Sequence, residues 1–224
     1  MATTQATPII AETEQQFVLS SISWRQYESV LQTFPEHAGL RITFLDGRLT
    51  FVSPTRRHDW FEKALGRFVE AISEGLEIEC EVSGHATYRR DDLGAGVEGD
   101  QAYYFGEHAV LMRGPIGVDL AAQPPPDLAI EVEATRSADD SVAVWARLGV
   151  SEVWRVQVNP MSVSFNVLRG DGTYWLAQRS AAFPVLEPDD LSRQLALAEQ
   201  TGWSRWVRQL NEWVRVELLP RQKG

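Results

Sequence analysis

Apolar residues along this chain repeat with two different periods, and the order of the two periods restricts the fold class. Segments with helical spacing and segments with strand-like alternation follow one another as helix, hairpin, helix, several strands, helix, strand, hairpin and helices. A parallel sheet would need a regular series of strand-helix-strand units, and this order departs from it. We therefore expect an α/β fold with a mixed sheet flanked by helices.

Short local signals place several of these elements. Asp46-Gly47 lies between two alternating runs and predicts a tight hairpin. Apolar residues at helical spacing predict a helix from about His58 to Gly75. Residues 98–105, EGDQAYYF, resemble one strand preceded by a glycine-rich bend. Further helices are expected over about residues 138–148, capped by Ser137, and from near Pro188 and Gly202.

Length and composition favour one domain. The 224 residues are 44% hydrophobic, which suffices for a single large core. We expect a disordered or extended arm over residues 1–16 and one domain over 17–224. No run of eighteen apolar residues and no secretory leader are visible, so no membrane association is expected. The single cysteine, Cys80, excludes an intrachain disulfide, and a cytoplasmic location is expected.

The charge balance is acidic. Lys and Arg number 21 against 31 Asp and Glu, which gives a net charge of −10. Proteins that coat DNA through phosphate contacts are usually basic, so the balance argues against this class. Carboxylates that hold a divalent metal would themselves add negative charge, and a metal-dependent nuclease therefore stays compatible with it.

Two strand-like segments carry acidic residues on one face. In DLAIEVE, residues 127–133, alternation puts Glu131 and Glu133 opposite the apolar side chains, and Glu98 and Asp100 share a face of the earlier segment. Carboxylates from two strands could converge on Mg²⁺ or Mn²⁺. Charged residues on a solvated sheet face give the same pattern, and spacing alone leaves both interpretations open.

Several motifs in order resemble the Uma-two-type endonuclease family of PD-(D/E)XK nucleases. The run from residue 22 to about 200 contains ISWRQYESVL, LRITFLDGRLTFVSP, a following His58, GVEGDQAYYF, PPPDLAIEVE and WARLGVSEVWRV, each similar to a family element. The resemblance implies a restriction-endonuclease-like core in which Asp100 and Glu131 bind Mg²⁺ or Mn²⁺, with the Val132 carbonyl as a third ligand. It also implies a nucleic-acid substrate, DNA rather than RNA, and a homodimer.

The chain departs from the family pattern at the residues expected to assist catalysis. Gly99 stands where the family has proline, and Ser141 stands where a branch of the family has lysine. The superfamily's other usual lysine position is Glu133. A lysine there would offset charge on the phosphate, and its loss would remove several kcal/mol of stabilisation, roughly as for one electrostatic donor. Candidate replacements are Lys63, Arg136 and Arg147.

Two functions follow from these features. The first is a metal-dependent endonuclease with Asp100, Glu131 and Ser141 at its centre and His58 and Glu98 as accessory residues. The second is a catalytically inactive nuclease-like fold kept as a binding or assembly module. The acidic charge, Ser141 and Glu133 favour the second, whereas Asp100 and Glu131 favour the first.

Overall fold

The computed structural model describes residues 13–33, 39–83, 86–114, 117–135 and 137–223. Within these ranges the chain forms eleven β-strands and six α-helices. The helices are α1 (Trp24–Thr33), α2 (Arg56–Gly75), α3 (Gly106–Met112), α4 (Asp139–Leu148), α5 (Pro188–Gln200) and α6 (Trp203–Trp213), with further helical turns over Val214–Leu218 and Leu219–Lys223. The strands are β1 (Gln15–Leu19), β2 (Arg41–Leu45), β3 (Arg48–Ser53), β4 (Cys80–Val82), β5 (Thr87–Arg90), β6 (Ala95–Glu98), β7 (Gln101–Phe105), β8 (Leu128–Glu133), β9 (Glu152–Val158), β10 (Met161–Leu168) and β11 (Tyr174–Ala177).

The strands form two sheets. The larger has the order β11-β10-β9-β8-β7-β4, in which β8 and β9 are parallel and the other pairs antiparallel. The smaller is antiparallel, with the order β1-β3-β2-β6-β5. The predicted mixed α/β class is therefore confirmed, and the architecture is that of a restriction-endonuclease-like fold. The predicted hairpin belongs to the second sheet.

The two faces of β8 contact different parts of the core. Leu128, Ile130 and Val132 pack in the cluster that contains the apolar faces of α2, α5 and α6. Ala129 packs in a separate cluster that contains Trp145 of α4. The predicted alternation is thus confirmed, but the carboxylate face is not solvated. Glu131 is buried because α4 covers it, which the sequence pattern could not show.

Local signals that rest on backbone geometry agree with the structure. Asp46 and Gly47 both have positive φ, 47° and 85°, as a two-residue hairpin with the sheet's twist requires. Helix α4 ends at Gly149, whose φ of 83° is left-handed, and α5 and α6 begin at the expected positions.

Two local expectations are wrong, and one helix was not predicted. Residues 98–105 are not one strand, since β6 ends at Glu98 and β7 begins at Gln101 in the other sheet. Ala95–Glu98, expected to be a bend, is a strand. Gly106–Met112 forms a helix that local patterning did not reveal. In the N-terminal arm, strand β1 begins at Gln15, and residues 1–12 lie outside the described ranges.

No helix among the described residues is both long enough and apolar enough to cross a membrane. Burial raises the pKa of the Cys80 thiol to about 11, so it is almost entirely protonated at neutral pH and a poor nucleophile.

Candidate metal centre

The candidate site lies where the chain passes from the smaller sheet to the larger one. Gly99 and Asp100 form this joint between β6 and β7. A Cβ atom on Gly99 would lie 2.4 Å from Cζ2 of Trp145 and 3.1 Å from Oε1 of Glu131. Glycine at position 99 therefore lets the joint pack directly against α4 and β8, and this packing is what brings Asp100 beside β8.

Asp100 is held by groups from three elements. Its Oδ2 accepts a hydrogen bond of 2.8 Å from the Val132 backbone N–H and lies 3.1 Å from Nε2 of His58. Its Oδ1 lies 3.5 Å from Nε of Arg41. Only 2% of Asp100 is exposed, and burial alone would raise the pKa of the carboxyl group. His58, the Val132 N–H and Arg41 outweigh burial and hold the pKa below its usual value, so Asp100 is an anion.

His58 stands in the first turn of α2, where Thr55 caps the helix by accepting from the His58 backbone N–H. Burial lowers the pKa of the imidazole, but the adjacent Asp100 carboxylate, with Glu14 and Glu62, raises it to about 8. At neutral pH the ring is therefore mostly protonated, and its Nε2–H donates to Asp100.

Glu62 follows His58 by four residues and lies on the same buried face of α2. Its Oε2 accepts a 3.0 Å hydrogen bond from Arg41, and its Oε1 accepts one of 3.3 Å from Gln101. Burial, helped by the negative charge of Asp100, raises the pKa of Glu62. Glu62 was not among the residues predicted from the sequence. The spacing of a histidine and a glutamate by four residues on one helix was the signal that could have found it.

His58, Glu62 and Asp100 together form a group that could hold a metal ion. Each offers one nitrogen or oxygen, and these atoms all lie within 4.8 Å of one another. An Mg²⁺ ion with bonds of about 2.1 Å holds its ligand atoms at most about 4.2 Å apart, so small side-chain adjustments would suffice. Carboxylate oxygens are the ligands that Mg²⁺ and Mn²⁺ prefer, so Glu62 and Asp100 suit such an ion, whereas the protonated His58 ring fixes Asp100 instead of binding the metal.

Glu131 lies beside this cluster on β8. The β7–β8 register pairs Gln101 with Ile130, and its continuation by one residue sets Asp100 opposite Glu131. Oε1 of Glu131 accepts a 2.7 Å hydrogen bond from the indole N–H of Trp145. The backbone register thus places Asp100 next to Glu131. The side-chain atoms that lie within 4.8 Å of one another are those of Asp100 and of His58 and Glu62 on α2.

The other predicted acidic residues have structural partners. Glu98 bridges the small sheet, since it accepts from the Ile42 backbone N–H and the Thr87 hydroxyl. Glu133 pairs with Arg155 at 2.6 Å and accepts from the Ala138 backbone N–H. These contacts fix the ends of neighbouring strands and direct both carboxylates to partners other than Asp100.

Two of the three predicted replacements for lysine, Lys63 and Arg147, lie elsewhere. Lys63 is exposed on α2, and Arg147 pairs with Asp46 of the hairpin. Arg136 lies outside the described residues. Ser141 is buried in α4, four residues before Trp145 on the same inward face.

Arg41 is a cation that contacts the cluster. It stands at the start of β2, its side chain is 14% exposed, and it lies between Asp100 and Glu62. It was not predicted from the sequence because nothing local distinguishes one strand arginine, and it lies 59 positions before Asp100.

Comparison with known families supplies the context for this geometry. Residues 24–200 match the family described as "Uma2: Putative restriction endonuclease". The chain belongs to the Uma2 family. The span that matches Uma2 covers well over half of the chain and runs from the start of α1 to the end of α5. It includes His58, Glu62, Asp100 and Glu131, whereas β1 and the residues before it lie outside it. No curated protein matches the chain.

Proposed function

We propose that this protein is a metal-dependent endonuclease that hydrolyses phosphodiester bonds in nucleic acid, with DNA as the first substrate to test. Membership of the Uma2 family supports a nuclease of the PD-(D/E)XK type. The observation that carries the proposal is the buried group of His58, Glu62 and Asp100 at the joint between the two sheets. Buried carboxylates with their ligand atoms this close to one another are unusual unless they bind something positive.

In this proposal Asp100 and Glu62 hold Mg²⁺ or Mn²⁺, with Glu131 and the Val132 carbonyl as the neighbouring ligands on β8. When bound, the ion supplies Lewis-acid polarisation of the scissile phosphate and lowers the pKa of water. The protein's own part is to orient the ligands. His58 and the Val132 N–H fix Oδ2 of Asp100, and Trp145 fixes Oε1 of Glu131.

Arg41 takes the place of the missing lysine. The two expected lysine positions hold Ser141, which carries no charge, and Glu133, which is an anion paired with Arg155. Neither side chain is a cation. The guanidinium of Arg41 is permanently protonated and lies within 3.5 Å of both Asp100 and Glu62. It can offset charge that develops on the phosphate, but it cannot remove a proton from water.

The experiment is cleavage of plasmid DNA, single-stranded DNA and RNA in Mg²⁺ or Mn²⁺, each compared with EDTA. Asp100→Asn keeps the shape of the side chain and removes its charge, and it should abolish metal-dependent cleavage. Glu107→Gln removes one exposed charge on α3 and serves as the matched control. Cleavage that persists in Asp100→Asn would refute the proposed site.

The alternative, a nuclease-like binding or assembly module, is favoured by one observation. Arg41 and protonated His58 already balance the charges of Asp100 and Glu62 without a metal, so the cluster can be an internal ion-pair network. Under this alternative neither the wild type nor Asp100→Asn cleaves any of the three substrates, and addition of Mn²⁺ leaves the melting temperature of the wild type unchanged.

A further inference from the structure

Glu14 enters the candidate site from a part of the chain that the family match does not cover. It directly precedes β1, and hydrogen bonds to the backbone N–H and the hydroxyl group of Thr135 hold it in place. The Glu14 backbone N–H donates to Oγ1 of Thr135 at 3.0 Å. The Thr135 backbone N–H and hydroxyl donate to Oε2 of Glu14 at 3.2 and 3.1 Å. Because Thr135 lies two residues beyond the end of β8, this latch fixes the start of β1 to the strand that carries Glu131.

The other oxygen of Glu14 is directed at the cluster. Oε1 lies 3.8 Å from Nε2 of His58, the same nitrogen that contacts Asp100. The Glu14 side chain is 0% exposed, and Oε1 has no hydrogen-bond partner among the described residues. The protonated His58 ring compensates part of the charge of Oε1, but its Nε2–H donates to Asp100, so Oε1 has no donor of its own among the described residues. A bound cation or its water ligands would complete the interactions of this buried oxygen.

We infer that Glu14 is a further carboxylate of the metal site, supplied by the N-terminal segment, and that divalent metal in turn fixes strand β1 beside the site. The inference rests on the metal site of the proposed function. Glu14 approaches the cluster from the His58 side, whereas Glu131 lies on β8. Its role is thus distinct from that of the family-matching residues.

The coupling between metal and strand follows from the latch. β1 is an edge strand of the small sheet and pairs only with β3 in the described part of the chain. All five residues of β1 are exposed or only half-buried, and Phe17 is among the exposed ones, so side-chain burial contributes little to the docking of this strand. A metal ion that binds Glu14 would stabilise the docked position of β1. By linkage, docking of β1 would strengthen metal binding by the same factor.

The first test measures Mn²⁺ affinity by isothermal titration calorimetry with the full chain. Glu14→Gln keeps the Thr135 latch largely intact and removes the charge of Oε1. It should weaken Mn²⁺ binding at least about tenfold, the lower range for loss of a group that supports a metal site. Glu107→Gln, which removes an equal charge from exposed α3, should bind as the wild type does. Equal affinity in Glu14→Gln and wild type would overturn the inference, and tighter binding in Glu14→Gln would do so by showing that Glu14 blocks the site.

The second test measures hydrogen exchange of residues 15–19 with and without Mn²⁺. Metal should slow exchange of these amides in the wild type and leave it unchanged in Glu14→Gln. Protection that is equal in both proteins would overturn the coupling. The Asp100→Asn variant distinguishes failure of the proposed metal site from failure of the role proposed for Glu14. If it abolishes Mn²⁺ binding while Glu14→Gln has no effect, the proposed metal site stands and only the role of Glu14 fails. If the wild type binds no Mn²⁺, both fail.

Discussion

At the scale of single residues, the site depends on how charge is balanced around Asp100. Its two oxygens contact a backbone N–H, a protonated imidazole and a guanidinium, each from a different element. Asp100 and His58 stood out in the sequence because the resemblance to the endonuclease family points to each of them. Arg41 and Glu62 did not, because their roles arise from long-range packing of β2 and α2 against the joint.

Arg41→Met tests the balance directly. Removing the guanidinium leaves two buried carboxylates with less compensation, so the metal-free protein should lose stability, at the lower end of about 3–5 kcal/mol because Arg41 is partly exposed. Mn²⁺ should then raise the melting temperature more in the variant than in the wild type, since the ion replaces the lost charge. DNA cleavage should nonetheless fall about 100-fold, as for loss of one electrostatic donor.

The matched control for Arg41→Met is Arg48→Met in the same hairpin. Arg48 pairs with Asp140 at the surface, where an ion pair contributes at most about 1 kcal/mol. Calorimetric melting of both variants with and without Mn²⁺ is the measurement. An Arg41→Met protein that melts like Arg48→Met would show that Arg41 does not compensate the cluster.

Ser141→Lys tests the lost lysine. Ser141 lies on the inward face of α4, one turn from the tryptophan that contacts Glu131, so a lysine there would approach the carboxylates. We expect metal-dependent cleavage of DNA above the wild-type rate, and its abolition when Asp100→Ala is added. Strong wild-type cleavage that Ser141→Lys leaves unchanged would mean that a cation already present, Arg41 first among them, fulfils this role.

At the scale of elements, the joint at Gly99 decides how two sheets build one site. Local patterns predicted the hairpin, α2, α4 and the two C-terminal helices, since turn glycines, caps and apolar periodicity are local properties. They could not show that residues 98–105 change sheets, because both halves have strand-like alternation. They also missed β1 and α3, whose stability comes from neighbours rather than from a strong pattern of their own.

Gly99→Ala tests the packing at the joint. The new methyl group would lie within 2.4 Å of the Trp145 ring, which is rigid and buried, so α4 would have to move. Overpacking of this kind costs about 1–3 kcal/mol, and it should also weaken Mn²⁺ binding by displacing Glu131. Gly170→Ala, where a methyl group meets nothing within 4 Å, should change stability by no more than about 0.5 kcal/mol. Urea unfolding distinguishes the two, and equal effects would contradict the close approach.

At the scale of the whole molecule, the net charge of −10 does not describe the local field of the site. Many negative side chains are paired with arginines across the fold, and one such pairing secures the C-terminal turns. Buried Asp190 at the start of α5 accepts from Arg221 and from the Glu187 backbone N–H. Burial alone would raise the pKa of Asp190, but these donors hold it below its usual value. The extents predicted for the arm, 1–16, and the domain, 17–224, remain predictions, as does the homodimer.

Asp190→Asn tests this link through pH. A carboxyl group whose pKa is depressed in the folded state stabilises the protein above its unfolded pKa of about 3.9, and that contribution is lost as pH falls through the folded value. The variant should be less stable than the wild type at pH 7, and the difference should shrink below about pH 4. Asp189→Asn, an exposed neighbour, should show no such trend. Urea unfolding from pH 7 to pH 3 is the measurement, and a constant difference would contradict the account.

In the proposed function one divalent ion binds where α2 meets the joint between the sheets. The most direct measurement is an anomalous difference map from crystals grown with Mn²⁺, collected on the wild type and on Asp100→Asn. We expect a peak in contact with Asp100 and Glu62 in the wild type and none in the variant. A peak that persists in Asp100→Asn, or one bound by Glu133 or the surface carboxylates instead, would contradict the claim.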